Sequence, residues 1–122
     1  MKDNNVSALF HHIHLHVDDI NSMANLFEKV GSAKFIKRTV VGSKEILHLK
    51  FDGVSLLLSP TNGERPPGIN HLGISSQEFD KVSEEFREEG WEVIDNLVNN
   101  DLRMQFLKSP EGVIIELLEE KQ

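Results

Sequence analysis

Residues 11–20 have the sequence HHIHLHVDDI, and residues 70–80 repeat much of its pattern as NHLGISSQEFD. Within the first stretch, residues 12–17 alternate between histidines at even positions and aliphatic residues at odd positions. A period of two is typical of a β-strand whose two faces meet different surroundings. The alternation therefore predicts one strand face that carries three imidazoles, those of His12, His14 and His16.

The two stretches belong to a repeat that covers most of the chain. When the second half is shifted by 59 residues, the halves align without gaps, and His12 meets His71. Apolar, aromatic and glycine positions keep the same register over about a hundred residues. Examples are Phe27 with Phe86, Gly31 with Gly90, and Gly53 with Gly112. We infer an internal duplication.

Each copy is predicted to be a βαβββ unit. After the first strand, Asp18 and Asp19 are good capping residues, apolar residues then recur at helical spacing, and Gly31 is the expected stop. Three strands follow in each copy, at about 33–41, 45–51 and 54–59, then 91–98, 102–107 and 112–118. We expect one domain over residues 1–122, with copies at about 9–60 and 70–119 and a Pro- and Gly-containing linker at about 60–70.

Composition excludes several kinds of chemistry and of partner. The chain has 122 residues, with 13 Lys+Arg against 20 Asp+Glu and a formal net charge of −7, so nothing indicates a nucleic-acid partner. It has no Cys and no Tyr, which rules out thiol nucleophiles, thiolate zinc sites, disulfides and phenolic acids. No apolar run is long enough for a membrane span, and the first residues do not resemble a signal peptide. We expect a cytoplasmic protein without a membrane partner.

Four equivalent positions of the repeat hold an unusual set of residues. His12 and Leu57 are 45 residues apart, and so are His71 and Glu116. Glu116 lies in a strand that is otherwise apolar, where a lone buried carboxylate would cost several kcal/mol unless it were paired or bound to a cation. Two imidazoles and one carboxylate can hold a divalent metal on one side and leave positions open for substrate.

These features, together with the closing sequence SPEGVIIELLEE at 109–120, resemble the vicinal oxygen chelate superfamily. That superfamily includes glyoxalase I, fosfomycin-resistance proteins, extradiol dioxygenases, methylmalonyl-CoA epimerase and bleomycin-binding proteins. The resemblance implies an α+β fold in which two βαβββ repeats form a cup-shaped, barrel-like mixed sheet with the helices outside. It also implies one divalent ion per site, manganese, iron(II), nickel or zinc, bound by His12, His71 and Glu116. Leu57 stands where glyoxalase I has a fourth ligand.

Further histidines are candidates for proton transfer. An imidazole titrates near neutral pH, so His14 or His16 could be a general base or support a ligand; the alternative is a solvated strand edge. His48 could line the cup, and a surface position is the other interpretation. His11 faces the opposite way and is expected to be exposed.

The second copy offers candidates for substrate binding. By the 59-residue register, Arg103 and Gln105 share the face of position 48, where Arg103 could bind a substrate anion. The alternative for Arg103 is a surface salt bridge. Leu57 would lie next to the metal. Three aromatic residues are expected to pack under the helices rather than to stack on a ligand: Trp91, Phe35 and Phe106.

The sequence predicts a small metalloenzyme whose substrate is a small molecule with two neighbouring oxygens. A lyase, isomerase or transferase step is favoured over dioxygen chemistry, because the ring-cleaving dioxygenases of the resembled family generally employ a Tyr. The alternatives are an iron(II) dioxygenase and a ligand-binding protein of the bleomycin-resistance type that performs no reaction. Three prolines stiffen the linker, which favours a homodimer that shares its sites between chains.

Overall fold

The computed structural model describes residues 8–62 and 66–121. Its elements, in chain order, are β1 Leu9–Val17, α1 Ile20–Val30, β2 Lys34–Val41, β3 Lys44–Phe51, β4 Val54–Pro60, β5 Gly68–Ser76, α2 Phe79–Glu88, β6 Glu92–Asn99, β7 Leu102–Lys108 and β8 Ile114–Glu119. The predicted α+β class with two βαβββ copies is confirmed. Neither helix of the described residues is long and apolar enough to cross a membrane.

Contacts divide the chain into two compact units. The first is His12–Asn70, and the second combines residues 8–11 with residues 71–121. The sheet of the first unit has the order β2-β3-β4-β1, with β1 and β4 parallel and the other pairs antiparallel. The second unit has the equivalent order β6-β7-β8-β5, again with one parallel pair.

Local chemistry explains the bounds of α1. The Asp19 carboxylate accepts a hydrogen bond from the backbone N–H of Ser22 at 3.0 Å, which caps the first turn. At the other end, the Gly31 N–H donates to the Phe27 carbonyl at 3.0 Å. Both predicted helix signals are therefore confirmed.

Each unit has one apolar core, packed between its helix and one face of its sheet. In the first unit the buried members are Val17, Ile20, Ala24, Leu47, Leu49, Leu56 and Leu58. In the second unit they are Phe79, Val82, Leu107, Ile115 and Leu117. Burying one such side chain contributes about 1.5–3 kcal/mol. The opposite face of each sheet, here called the helix-free face, carries the polar residues that are of interest for function.

The repeat register shifts by one residue in the middle of each copy. Leu49 pairs with Leu56 and Leu107 pairs with Ile115, so these β3 and β7 positions are 58 residues apart while the β4 and β8 positions are 59 apart. The cause is that α2 is one residue shorter than α1, and that a longer connection follows β7. A one-residue slip turns a strand side chain to the other face. The gapless alignment is therefore wrong for β6 and β7.

Candidate metal centre

The helix-free face of the first unit is lined by histidines. His12, His14 and His16 alternate along β1, and all three side chains are buried. The ring centres of His12 and His14 are 6.2 Å apart, and those of His14 and His16 are 5.3 Å apart. The predicted common face is confirmed, whereas the alternative of a solvated strand edge is excluded by their burial.

A buried hydroxyl orients one of these imidazoles. The Nε2 atom of His14 lies 2.6 Å from the Oγ atom of Ser59, which is 0% exposed on β4. Such a bond fixes the ring plane and favours one tautomer of the imidazole. His16 is only 1% exposed and lies deeper in the first unit, where contact with a substrate is hindered.

His48 also lies on the helix-free face, because β3 pairs with β4 so that His48 is directly opposite Leu57. Its Nε2 atom is 2.8 Å from Oγ1 of Thr39, and the residue is half-buried. Burial lowers the pKa of the His48 imidazole below its ordinary value of 6.5, and the charges of Lys37 and His12 lower it further. His48 is therefore neutral at pH 7 and able to accept a proton.

The second unit contains one histidine–carboxylate pair. The Nε2 atom of His71 on β5 is 3.3 Å from Oε1 of Glu116 on β8, and the two side chains are 6% and 14% exposed. The ring of Phe106 stands perpendicular to the His71 ring at 5.2 Å between centres. The carboxylate thus lies beside an imidazole and an aromatic ring, partly removed from water.

This pair fits a divalent metal. Two ligand atoms at adjacent corners of an octahedron, each roughly 2.1 Å from the ion, are about 3.0 Å apart. The 3.3 Å separation in the second unit is close to that value. An imidazole nitrogen and a carboxylate oxygen are also ligands that iron(II), manganese, nickel and zinc accept. His71 and Glu116 can therefore provide two corners of one coordination shell.

Arg103 lies on the other face of its sheet. Its guanidinium donates to both carboxylate oxygens of Asp80 on α2, at 2.9 and 3.1 Å, and to Glu119 at 3.1 Å. It also lies over the ring of Phe79, 4.4 Å from the ring centre. These bonds hold the pKa of both carboxyls below their usual values. The salt-bridge interpretation of Arg103 is confirmed.

Gln105 shares that face, since its side chain accepts a hydrogen bond from Ser83 of α2 and donates to Asn96 at 3.0 Å. The prediction that Arg103 and Gln105 share the face of position 48 is therefore wrong, because β7 follows a 58-residue register. With that register, the counterpart of His48 is Phe106.

The aromatic residues of the second unit divide between the two faces. Trp91 packs against Phe86 under α2, as predicted, with ring centres 4.9 Å apart. Phe106 does not pack under the helix: it lies against His71, and the prediction for it is wrong. The prediction is also wrong for Phe35, which is 50% exposed on β2 of the first unit. An alignment of the two copies with one gap in each pairs Phe106 with His48, and this pairing places Phe106 on the helix-free face beside the candidate metal centre. His11 is exposed, as expected.

The strand order and the repeat define the fold class: the chain is an α+β protein built from two βαβββ units, and it shares this fold with several solved structures. The particular structures it resembles include hypothetical protein BH1468 from Bacillus halodurans C-125, with a TM-score of 0.79 and 21% identity over 96% of this chain and 97% of that one. Methylmalonyl-CoA epimerase from Mycobacterium tuberculosis is similar with a TM-score of 0.73 and 16% identity, over 93% and 88% of the two chains.

A third similar structure is Streptomyces coelicolor methylmalonyl-CoA epimerase in complex with 2-nitronate-propionyl-CoA. Its TM-score is 0.70 and its identity is 16%, over 96% of this chain and 100% of that one. No protein-family model matches the chain, and no curated protein matches it in sequence. At these identities the likeness establishes the fold.

Proposed function

We propose that this protein is a divalent-metal-dependent enzyme that moves a proton on a small, oxygen-rich substrate. The observation that carries the proposal is the contact of His71 with Glu116, at 3.3 Å and largely shielded from water. A buried ionised carboxylate is costly unless a cation or donors compensate it, and a bound divalent ion would do so.

His12 is the third ligand in this proposal. It occupies the position of the first copy that His71 occupies in the second, on the helix-free face of the strand that opens the unit. Its side chain is 3% exposed. Two neutral imidazoles and one carboxylate would leave a divalent ion with a charge of about +1, which attracts an anionic or carbonyl oxygen of a substrate.

The ion, when bound, would stabilise negative charge that develops on a substrate oxygen, an effect worth several kcal/mol. The proton itself requires a base from the chain. His48 is suited to this step, because it is half-buried, its lowered pKa keeps it neutral, and Thr39 orients its ring. His14 and His16 are less suited, since Ser59 engages the first and burial isolates the second.

An isomerase-type reaction is favoured over the other candidates. Several similar structures are methylmalonyl-CoA epimerases, and one of them holds a propionyl-CoA derivative. We therefore place the substrate among thioesters or dicarbonyl compounds with an acidic C–H next to a carbonyl. The chain has no Tyr, which disfavours the iron(II) dioxygenase alternative, and the paired ligand positions disfavour a binding protein without chemistry.

The same proposal includes a homodimer with shared sites. The sequence of the linker, with Pro60, Pro66 and Pro67, is stiff, which disfavours pairing of the two copies within one chain. In the dimer, His12 of one chain would join His71 and Glu116 of its partner.

The experiment begins with metal analysis of protein purified without added metal. The loaded protein is then incubated in deuterated water with a panel of acyl-CoA thioesters and dicarbonyl compounds, and mass spectrometry measures deuterium at the carbon next to the carbonyl. We expect one divalent ion per chain and metal-dependent exchange on at least one compound. Protein that binds no divalent ion would overturn the proposal. Metal binding without exchange on any of these compounds would instead favour the binding protein.

A further inference from the structure

Equivalent rows of residues cross the helix-free faces of the two sheets. In the second unit, the row contains Glu116 with Gly73 directly opposite it on the parallel strand. In the first unit, Leu57 has the place of the carboxylate, and His14 is directly opposite it. In the second copy, the side chain of the row that can bind a metal is on the last strand, at Glu116. In the first copy it is on the first strand, at His14.

His14 can therefore supply the metal ligand that Leu57, an apolar residue, does not provide. Neighbouring strands of a sheet are about 4.7–4.9 Å apart, which the length of an imidazole side chain covers. A donor placed at position 14 can therefore reach the region that a carboxylate at position 57 would have filled. Gly73, the counterpart of His14, has no side chain, so the second unit leaves this space to Glu116.

The geometry of the histidines agrees with two of them binding one ion. When two imidazoles bind one ion through nitrogens roughly 2.1 Å from it, their ring centres lie roughly 4.6 Å apart at adjacent corners of an octahedron and roughly 6.5 Å apart at opposite corners. The ring centres of His12 and His14 are 6.2 Å apart, which corresponds to a wide angle at the ion, and ligand nitrogens of the two rings lie within 4.8 Å of each other. Histidines two residues apart on a strand also point to the same side, so both can turn toward a common ion.

The contact with Ser59 is the type of support that metal-binding histidines have. A ligating imidazole commonly donates its second ring N–H to a fixed acceptor, which sets the ring orientation and increases its basicity. In this chain, Oγ of Ser59 is 2.6 Å from Nε2 of His14, so Nδ1 is the ring nitrogen that would bind the ion. Ser59 is fully buried and cannot itself contact a substrate.

From these observations we infer that His14 is a fourth protein ligand of the metal centre, which it completes in place of a donor at position 57, and that Ser59 is its positioning residue. The inference rests on the proposed function, since it assumes the ion held by His12, His71 and Glu116. Its chemical consequence is a site with three imidazoles and one carboxylate. Such a site prefers cobalt, nickel or zinc over manganese, because nitrogen ligands favour the later metals.

Cobalt(II) titration tests the inference with a readout that does not depend on turnover. Paramagnetic proton NMR of the cobalt-loaded protein counts the exchangeable N–H signals of bound imidazoles. We expect three signals in the wild type and two in the His14→Gly variant, which restores the residue of the second copy. The same variant should bind cobalt at least about 10-fold more weakly, and Ser59→Ala about 10- to 100-fold more weakly.

Two controls keep the outcomes distinct. His11→Gln removes an exposed imidazole from the same strand and should change neither the signal count nor the affinity. His14→Gln preserves more of the side-chain volume, and circular dichroism establishes whether either variant at position 14 is folded. Three signals in a folded His14 variant, or unchanged affinity, would overturn the inference while the proposed function stands. Absence of cobalt binding by the wild type would overturn the proposed function itself.

Discussion

The Nε2 atom of His71 lies 3.3 Å from Oε1 of Glu116, and the ring of Phe106 stands at right angles to the same imidazole. The three residues come from β5, β8 and β7, so the pairing of three strands is needed to bring them together. Phe106 shields the imidazole from water and strengthens its interaction with the carboxylate. This arrangement explains how a carboxylate can be kept in a strand that is otherwise apolar.

Replacing Glu116 by Gln should abolish tight metal binding and leave the fold intact. Gln preserves the volume but removes the buried negative charge, so the free energy of unfolding without metal should stay equal or rise. Calorimetric titration with nickel or cobalt measures the affinity, which should fall by more than about 100-fold. Unchanged affinity in a folded Glu116→Gln protein would show that this carboxylate is not a ligand.

Replacing Leu57 by Glu should add a donor to the helix-free face of the first unit. Leu57 is half-buried, between His48 and His14 in the strand register, so a carboxylate there would find imidazole partners. We expect tighter metal binding, because a charged carboxylate would either displace the neutral His14 imidazole from the ion or bind beside it. Leu57→Gln is the uncharged control. If the Glu variant bound metal no better than the Gln variant, position 57 would not face the ion.

Replacing His48 by Phe, the residue of the second copy, should remove a pH dependence of stability. The pKa of His48 is lowered in the folded protein, so the unfolded chain binds more protons below about pH 6.5 and the wild type loses stability as the pH falls through that value. Melting temperatures between pH 5 and 8 measure this slope, which should be smaller in His48→Phe. The variant should also lose proton exchange on substrate. His11→Gln is the matched control and should keep the slope.

Replacing Arg103 by Met should destabilise the protein without affecting the metal centre. The variant loses the bonds to Asp80 and Glu119, whose pKa values are lowered from 3.8 and 4.5 in the folded state. Stability from these bonds is present above the ordinary pKa values and is lost as the pH falls below them. The substitution should therefore lower the melting temperature at pH 7, and this effect should shrink steadily as the pH is lowered below 3.8. A loss of metal affinity would contradict the position of Arg103 on the helix face.

Mixing two variants that each lack one metal ligand should test whether the proposed dimer shares its metal sites between chains. His12→Ala and Glu116→Gln proteins are unfolded together, refolded and analysed for bound metal, with light scattering to establish dimers. In a heterodimer with shared sites, both lesions can fall in one site and leave the other whole, so part of the metal binding should return. Dimers that recover no metal binding would show that each chain builds its own site.

Much of this organisation could be predicted from local sequence patterns. The period of two in residues 12–17 predicts a strand with its histidines on one face, and Asp19 and Gly31 predict the ends of α1. These signals work because strand alternation and helix capping depend on residues that are close along the chain. His12 is as far from position 57 as His71 is from Glu116, and this equal spacing identifies the candidate metal ligands. The spacing is equal because the first and last strands of each copy keep the 59-residue register.

The sequence by itself determined two βαβββ copies, the ends of the first helix and the histidine-bearing face of β1. Only the tertiary structure decided the faces of Arg103, Gln105 and Phe106, because the register of β7 depends on the length of α2 and of the connection to β8. A shift of one residue changes little in the sequence but turns every side chain of a strand to the other face. The contacts of His71 with Glu116 and of His14 with Ser59 likewise depend on pairing between strands that are distant along the chain, and no local pattern encodes that pairing.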